Sequence, residues 1–172
     1  MVSVRSFPPV VGPAPRMLVL GSMPGMASLR AQRYYAHPQN AFWPIVGAVL
    51  GFDPGLDYAA RLAALTARGV ALWDVLRSCE RHGSLDSAIA AASMRTNDFA
   101  GFFAAHPGIR AVLCNGGTAW RLFQRLVLPE LGAGAPPTCV PLPSTSPAHA
   151  GMPRTQKLAA WRRALEPHLM PA

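Results

Sequence analysis

The chain has 172 residues, 51% of them hydrophobic and 14% charged, a balance that excludes a disordered polyelectrolyte and supplies enough apolar side chains for a sizeable core. Sixteen Lys and Arg against eight Asp and Glu give a formal net charge of +8, which points to a polyanionic partner, because basic surfaces attract phosphates and release counterions on binding. No apolar run approaches the roughly 20 residues of a membrane helix, and Met1 to Pro15 holds four prolines but no secretory apolar stretch, so the expectation is a cytoplasmic protein with no membrane partner.

In chain order, residues 1–15 read as a flexible N-terminal segment of one domain spanning 1–172. Short apolar runs at Arg16–Gly21, Val70–Trp73, Arg110–Cys114 and Thr138–Leu142 predict strands, each followed by a loop rich in Gly, Pro, Ser or Asp. Helical spacing predicts helices over Phe42–Leu50, Tyr58–Arg68, Leu85–Ala92, Thr96–Ala105, Thr118–Val127 and Pro153–Glu166. Asp57 is a suitable N-cap, Gly69 a suitable stop, and Pro153 fits a first helical turn. The alternation predicts an α/β fold: a central, mostly parallel four-stranded sheet flanked by helices. Ligands of such sheets bind at the carboxyl ends of the strands, so loops beginning near Gly21, Asp74, Asn115 and Pro143 should converge on one cleft.

Cys79, Cys114 and Cys139 are scattered, with no paired spacing, so neither a metal nor a cofactor is expected. Fifteen of the sixteen basic side chains are arginine, and Lys157 is the only lysine. Arginine bias can reflect genome composition, but the charge remains.

The segment from Leu20 to Trp43 concentrates chemistry. Gly21-Ser22-Met23-Pro24-Gly25 follows the first strand, where glycines permit close backbone approach to a ligand and amide N–H groups can receive an anion. It lacks the Gly-Lys-Ser/Thr of a nucleotide-phosphate loop, and a tight turn is the plain alternative. Tyr34 and Tyr35 offer planar faces for a base, or else pack in the core. Asn40 carries a donor and an acceptor that could orient a water, and it could equally cap the helix beginning at Phe42. Asp74 ends an apolar strand, where a carboxylate could read a base N–H, pair with an arginine or cap a turn. Asn115 could read an amide edge or support the turn at Gly116 and Gly117. Ser144, Thr145, Ser146 and Pro147 form a proline-stiffened hydroxyl loop suited to phosphates. His149 could donate to a phosphate or a developing negative charge, or be an idle surface histidine. His82, His106 and His168 show no partner pattern.

Gly21 to Gly25, followed by Tyr35-Ala36-His37-Pro38-Gln39-Asn40-Ala41-Phe42-Trp43, resembles the first motif region of the uracil-DNA glycosylase superfamily, and Pro143 to His149 resembles its second. The pattern is most similar to the hypoxanthine-DNA glycosylase branch. Met23 stands where the mismatch-specific branch carries an asparagine, and the amide of the His-Pro-x-Asn element is here Asn40. The resemblance implies Asn40 and His149 as catalytic residues, and Gly21, Ser22, Met23, Tyr35, Asp74 and Asn115 around the base, with Tyr35 stacking on it. Ser144 to Pro147 would grip DNA. Asp74 occupies the region of a base-reading asparagine in other branches, and the cysteine ligands of the iron–sulfur branches are absent.

The implied activity is that of a monofunctional, monomeric base-excision enzyme acting on single- or double-stranded DNA. A deaminated base, foremost hypoxanthine, is flipped out and its glycosidic bond hydrolysed, leaving an abasic site. Uracil excision and a non-catalytic nucleic-acid-binding α/β protein are the alternatives.

Overall fold

The computed structural model describes residues 1–172. Four parallel strands, β2 (Met17–Gly21), β3 (Val70–Asp74), β6 (Ala111–Asn115) and β7 (Thr138–Leu142), lie in the order β3-β2-β6-β7. Their side chains alternate between two cores. Leu18, Leu20, Ala71, Trp73, Val112 and Cys114 face one layer, with α4 (Phe99–Ala105) and α5 (Gly117–Leu122). Met17, Val19, Val70, Leu72, Ala111 and Leu113 face the other, with α2 (Phe42–Leu50), α3 (Tyr58–Ala67) and α7 (Arg154–Leu165). A sheet covered on both faces has near-continuous apolar runs in its strands, as β2, β3 and β6 show up to their last residue.

From central β2 the chain crosses to β3 on one side and later to β6 on the other. The strand order therefore reverses between β2 and β6, where open sheets of this kind hold ligands. Gly21 pairs with Asp74 across β2 and β3, and Asn115 pairs with Leu142 across β6 and β7, so the expected loops emerge at one edge.

The strand predictions hold within one residue at each end. Asp57 caps α3, its carboxylate accepting from Ala60 N–H at 2.8 Å. Pro153 sits one residue ahead of α7, and the predicted Thr96 helix begins at Phe99 behind an Asp98 cap. The helix predicted from Thr118 starts at Gly117 and continues through a π-helical stretch, Phe123–Val127, into α6 (Leu128–Leu131).

Three features depart from expectation. The N-terminal segment is not a loose arm: β1 (Val2–Arg5) pairs antiparallel with β4 (Leu76–Arg81), Val4 is buried, and Val10 bridges Leu72. With β5 (Arg95–Thr96) these strands form a second sheet, β1-β4-β5. The predicted Leu85–Ala92 helix is two single 3₁₀ turns, Asp86–Ala88 and Ala91–Ser93. Its polar side chains serve distant groups instead: Asp86 accepts from Ser22, and the Ser93 hydroxyl from Glu80 N–H. A short helix, α1 (Met26–Ala31), occupies what read as loop. No helix is long and apolar enough to cross a membrane.

Because Val4 lies in the core, Val4→Ala should lower the unfolding free energy by about 1–3 kcal/mol in urea denaturation. A free arm would leave the midpoint unchanged.

Candidate functional site

Gly21 is required at the end of β2: a Cβ there would lie 2.5 Å from Asp74 Oδ1 and 3.7 Å from the Tyr35 hydroxyl. The backbone of this one residue leaves a place bordered by an acid and a phenol. Both groups are short of partners. Asp74 is 4% exposed, and its Oδ2 has no hydrogen-bond partner; neither has the buried Tyr35 hydroxyl. Burial, and next the neighbouring Asp86, pushes the Asp74 carboxyl up to about 7, against the pull of Arg81. Burial first, then the Asp74 carboxyl, also raises the Tyr35 phenol, against the pull of the nearby Asn115 amide, which makes no hydrogen bond of good geometry to it. Buried polar groups normally find partners, and leaving one without costs about 1–3 kcal/mol.

Tyr35 adopts a left-handed backbone (φ +54°), unusual for an aromatic residue. That turn lays its ring on Phe42, with centroids 3.9 Å apart and planes 24° off parallel. Tyr34, by contrast, is a core residue whose hydroxyl donates to Pro8 O. Tyr35 also packs against that core, partly buried, through its stack on Phe42.

Asn40 does serve the helix beginning at Phe42: its Oδ1 accepts from Phe42 N–H at 2.9 Å. Its Nδ2 donates to no protein group, and the half-buried side chain borders two cavities of about 300 and 320 Å³. The second also contacts Thr145, Ser146, Pro147 and His149, so Asn40 and His149 share one recess. Gly21, Ser22, Met23, Asp74 and Asn115 line neither cavity.

Thr145 joins these parts. Its N–H donates to Asn115 Oδ1 and its hydroxyl accepts from Asn115 Nδ2, both at 2.9 Å, while its carbonyl accepts from Ala41 N–H at 2.9 Å. At 1% exposure it cannot be the phosphate-facing hydroxyl the sequence suggested. Asn115 is likewise engaged at both ends of its amide, supporting the last loop, with one N–H and one lone pair left over. Gly116, at φ +99°, lets the backbone pass where a Cβ would lie 3.0 Å from Ser144 Cβ. Ser144 and Ser146 hydroxyls accept from Ser146 N–H and Ala148 N–H, stiffening the loop. Pro147 and His149 are exposed.

Met23 is a second correction: it is buried in the core against the sheet, so its side chain faces away from any ligand. Ser22 donates its hydroxyl to Asp86 at 2.7 Å. The Ser22 and Met23 N–H groups donate to no acceptor in the protein.

Residues not anticipated from the sequence hold both loops. Arg81, 1% exposed, donates to Pro24 O at 2.5 Å, Ser84 Oγ accepts from Met26 N–H, and Asp86 holds Ser22. The Arg81–Asp86 segment thus clamps the glycine loop. On the other side α7 pins the last loop at both ends: Trp161 Nε1 donates to Pro143 O at 2.9 Å and Lys157 Nζ to His149 O at 2.7 Å. The strand that carries Arg81 also holds Arg77 and Glu80, so residue type gave no signal that Arg81 alone turns inward.

A family model described as "Uracil DNA glycosylase superfamily" matches residues 8–166. Two proteins named hypoxanthine DNA glycosylase, from Methanosarcina barkeri and Methanosarcina acetivorans, are each 37% identical over 113 residues, 65% of this chain and 70% of each relative. The solution NMR structure of a Methanosarcina acetivorans protein, described as a candidate uracil DNA glycosylase, aligns with a TM-score of 0.77 at 32% identity, covering 95% of this chain and 99% of that one.

Thr145→Val should cost about 1–3 kcal/mol in thermal or urea unfolding, because it strands the Asn115 amide. Ser144→Ala, which loses only a local 3.2 Å turn contact, should stay below about 1 kcal/mol. Equal effects would show that Thr145 is not the junction.

Proposed function

We infer the function from one premise: the chain belongs to the uracil DNA glycosylase superfamily. It is a DNA glycosylase, a hydrolase of N-glycosidic bonds whose substrate is DNA. The base it excises is hypoxanthine, flipped from deoxyinosine, and the product is an abasic site. The observation that carries this reading is the pair of unpartnered polar atoms, Asp74 Oδ2 and the Tyr35 hydroxyl, beside Gly21 at the carboxyl end of central β2.

A purine base with a carbonyl supplies what these groups lack. Around pH 7 about half of the Asp74 carboxyl still carries its proton, and in that form it donates to a base oxygen or ring nitrogen. The free N–H groups of Ser22 and Met23 add two donors for charge that develops as the base departs. The relatives at 37% identity are named for hypoxanthine, which favours it over uracil.

Asn40 performs the hydrolytic step. Its Oδ1, anchored by Phe42 N–H, keeps a second lone pair for a water, while the free Nδ2 supplies a donor at the recess it shares with His149. Holding the water against an electron-poor sugar carbon replaces a bimolecular encounter with an oriented attack. A Schiff-base lyase step is disfavoured, because Lys157, the only lysine, is tied to His149 O.

Single-turnover assays on duplexes carrying one deoxyinosine or one deoxyuridine test the reading. Hypoxanthine release should dominate; release of uracil alone would replace hypoxanthine as the substrate base. Asn40→Ala should slow base release by on the order of 100-fold or more while lowering the unfolding free energy by no more than about 2 kcal/mol, the cost of its bond to Phe42 N–H. A near-wild-type rate removes Asn40 from the reaction.

The Asp74 pKa is raised from the ordinary 3.8 to about 7, so the folded state favours the protonated acid. That contribution to stability is complete below the ordinary value and is lost as pH rises through about 7. Hypoxanthine release should fall where the folded carboxyl itself loses its proton, as pH rises through about 7. Asp74→Asn, a donor at every pH, should give a rate that is flat from about pH 6 to 8. A falling limb that persists in Asp74→Asn assigns the titration to another group.

A further inference from the structure

Three buried charged side chains meet the Gly21–Gly25 loop one after another. Asp74 stands against Gly21, where a Cβ would lie 2.5 Å from its Oδ1. Asp86 accepts from the Ser22 hydroxyl at 2.7 Å, and Arg81 donates to Pro24 O at 2.5 Å. They form no ion pair with one another; the sole ion pair in the protein is Arg162 with Glu166. Arg81 is 1% exposed, and its Nε and Nη1 donate to no protein atom. A guanidinium keeps its proton even when buried, so a full positive charge lies behind the loop. Burying that charge costs more than one neutral carbonyl offsets. Holding Pro24 O needs only a donor, and a neutral one would serve. The charge of Arg81 is the feature that the clamp leaves without a role.

We propose that Arg81 is a positioning residue for base release: its contact with Pro24 places the Ser22 and Met23 N–H groups, and its charge, opposed by that of Asp86, governs the charge state of Asp74. This role rests on the reading of Asp74 as the acid that meets the base. In the interior a charge acts across several ångströms, because little water screens it. At Asp74, burial and then the Asp86 charge favour the protonated acid, and Arg81 favours the carboxylate. Burial also raises the Asp86 carboxyl, while Ser22, Arg81 and Arg121 of α5 pull it back. The other titratable groups facing the cluster are Tyr34 and Tyr35, from the loop before α2, and Cys79 of β4; burial keeps their phenols and thiol protonated. Arg81 is thus the cation that offsets burial at Asp74. Without it the acid would hold its proton to higher pH, and without the Asp86 charge it would ionise sooner.

The test is a pH titration of the full chain read in two ways. Carbon-13 NMR follows the Asp74 carboxyl in the free protein, its signal assigned with Asp74→Asn, and single-turnover assays follow hypoxanthine release from a deoxyinosine duplex. Asp86→Asn keeps an oxygen for the Ser22 hydroxyl and removes only the charge, so it should move the Asp74 titration to lower pH, by on the order of one unit. Arg81→Gln, a neutral donor, should move it to higher pH by a similar amount. Arg81→Lys, which keeps the charge, should leave it near the wild-type position. Arg77→Met, at an exposed arginine of the same strand, should not move it. In each variant the falling limb of base release should follow the carboxyl. Shifts of Asp86→Asn and Arg81→Gln in the same direction, or no shift in either, overturn the role and leave Arg81 as a holder of Pro24 alone. Circular dichroism checks folding; if Arg81→Gln unfolds, Asp86→Asn decides, a downward shift supporting the role and an unmoved carboxyl overturning it. Because the carboxyl titrates without DNA, absence of base release in the wild type strikes the glycosylase reading, whereas an unmoved carboxyl strikes the role of Arg81.

Discussion

Everything at the functional edge depends on three hydrogen bonds made by one buried threonine. Thr145 ties the end of β6 through Asn115, carries the middle of the last loop, and accepts from Ala41 next to Asn40. Residues from three distant parts of the chain are thereby held in one frame. The aromatic side reinforces it: Tyr35 stacks on Phe42, Phe42 meets Trp161 edge-on at 5.9 Å, and Trp161 donates to Pro143 O. Deep burial strengthens such a network and makes each missing partner costly, so the frame holds as a unit or fails as one.

That rigidity explains why the cleft can leave Asp74 and Tyr35 without partners. An unpaired buried acid would relax toward a neighbour if its backbone could move. Asp74 sits in a fully buried strand, its carbonyl held by Asn97 and its Cα registered against Gly21. Tyr35 is fixed by its own turn and by Phe42. The cost of two unmet groups is borne by the packing of the sheet and the loop that hold them in place.

The sheet was legible in the sequence because its strands are apolar on both faces and bounded by glycine, proline and aspartate. The second sheet was not. β1 is a four-residue edge strand with one buried side chain, and proline-rich sequence follows it. The Leu85–Ala92 region misled because local spacing cannot reveal that Asp86 is engaged by Ser22, 64 residues away. At the site, residue types pointed to the right loops but not to which way each side chain turns. Asn40 combines capping with a free amide group, as residue chemistry alone allowed. Met23 and Thr145 turn inward, because a hydroxyl or thioether in a loop is as ready to fill the core as to face a ligand.

The clamps show a division of labour that sequence motifs do not display. The glycine loop is held from behind by Arg81, Ser84 and Asp86, all polar, through contacts to its backbone and to Ser22. The last loop is held by α7 through Trp161 and Lys157, again at backbone carbonyls. Backbone contacts fix loop position while leaving the side chains of Ser146, Pro147 and His149 outward. The loop's rigidity thus comes from the helix behind it, where one cation and one indole N–H, a turn apart on α7, hold carbonyls at the two ends of the loop.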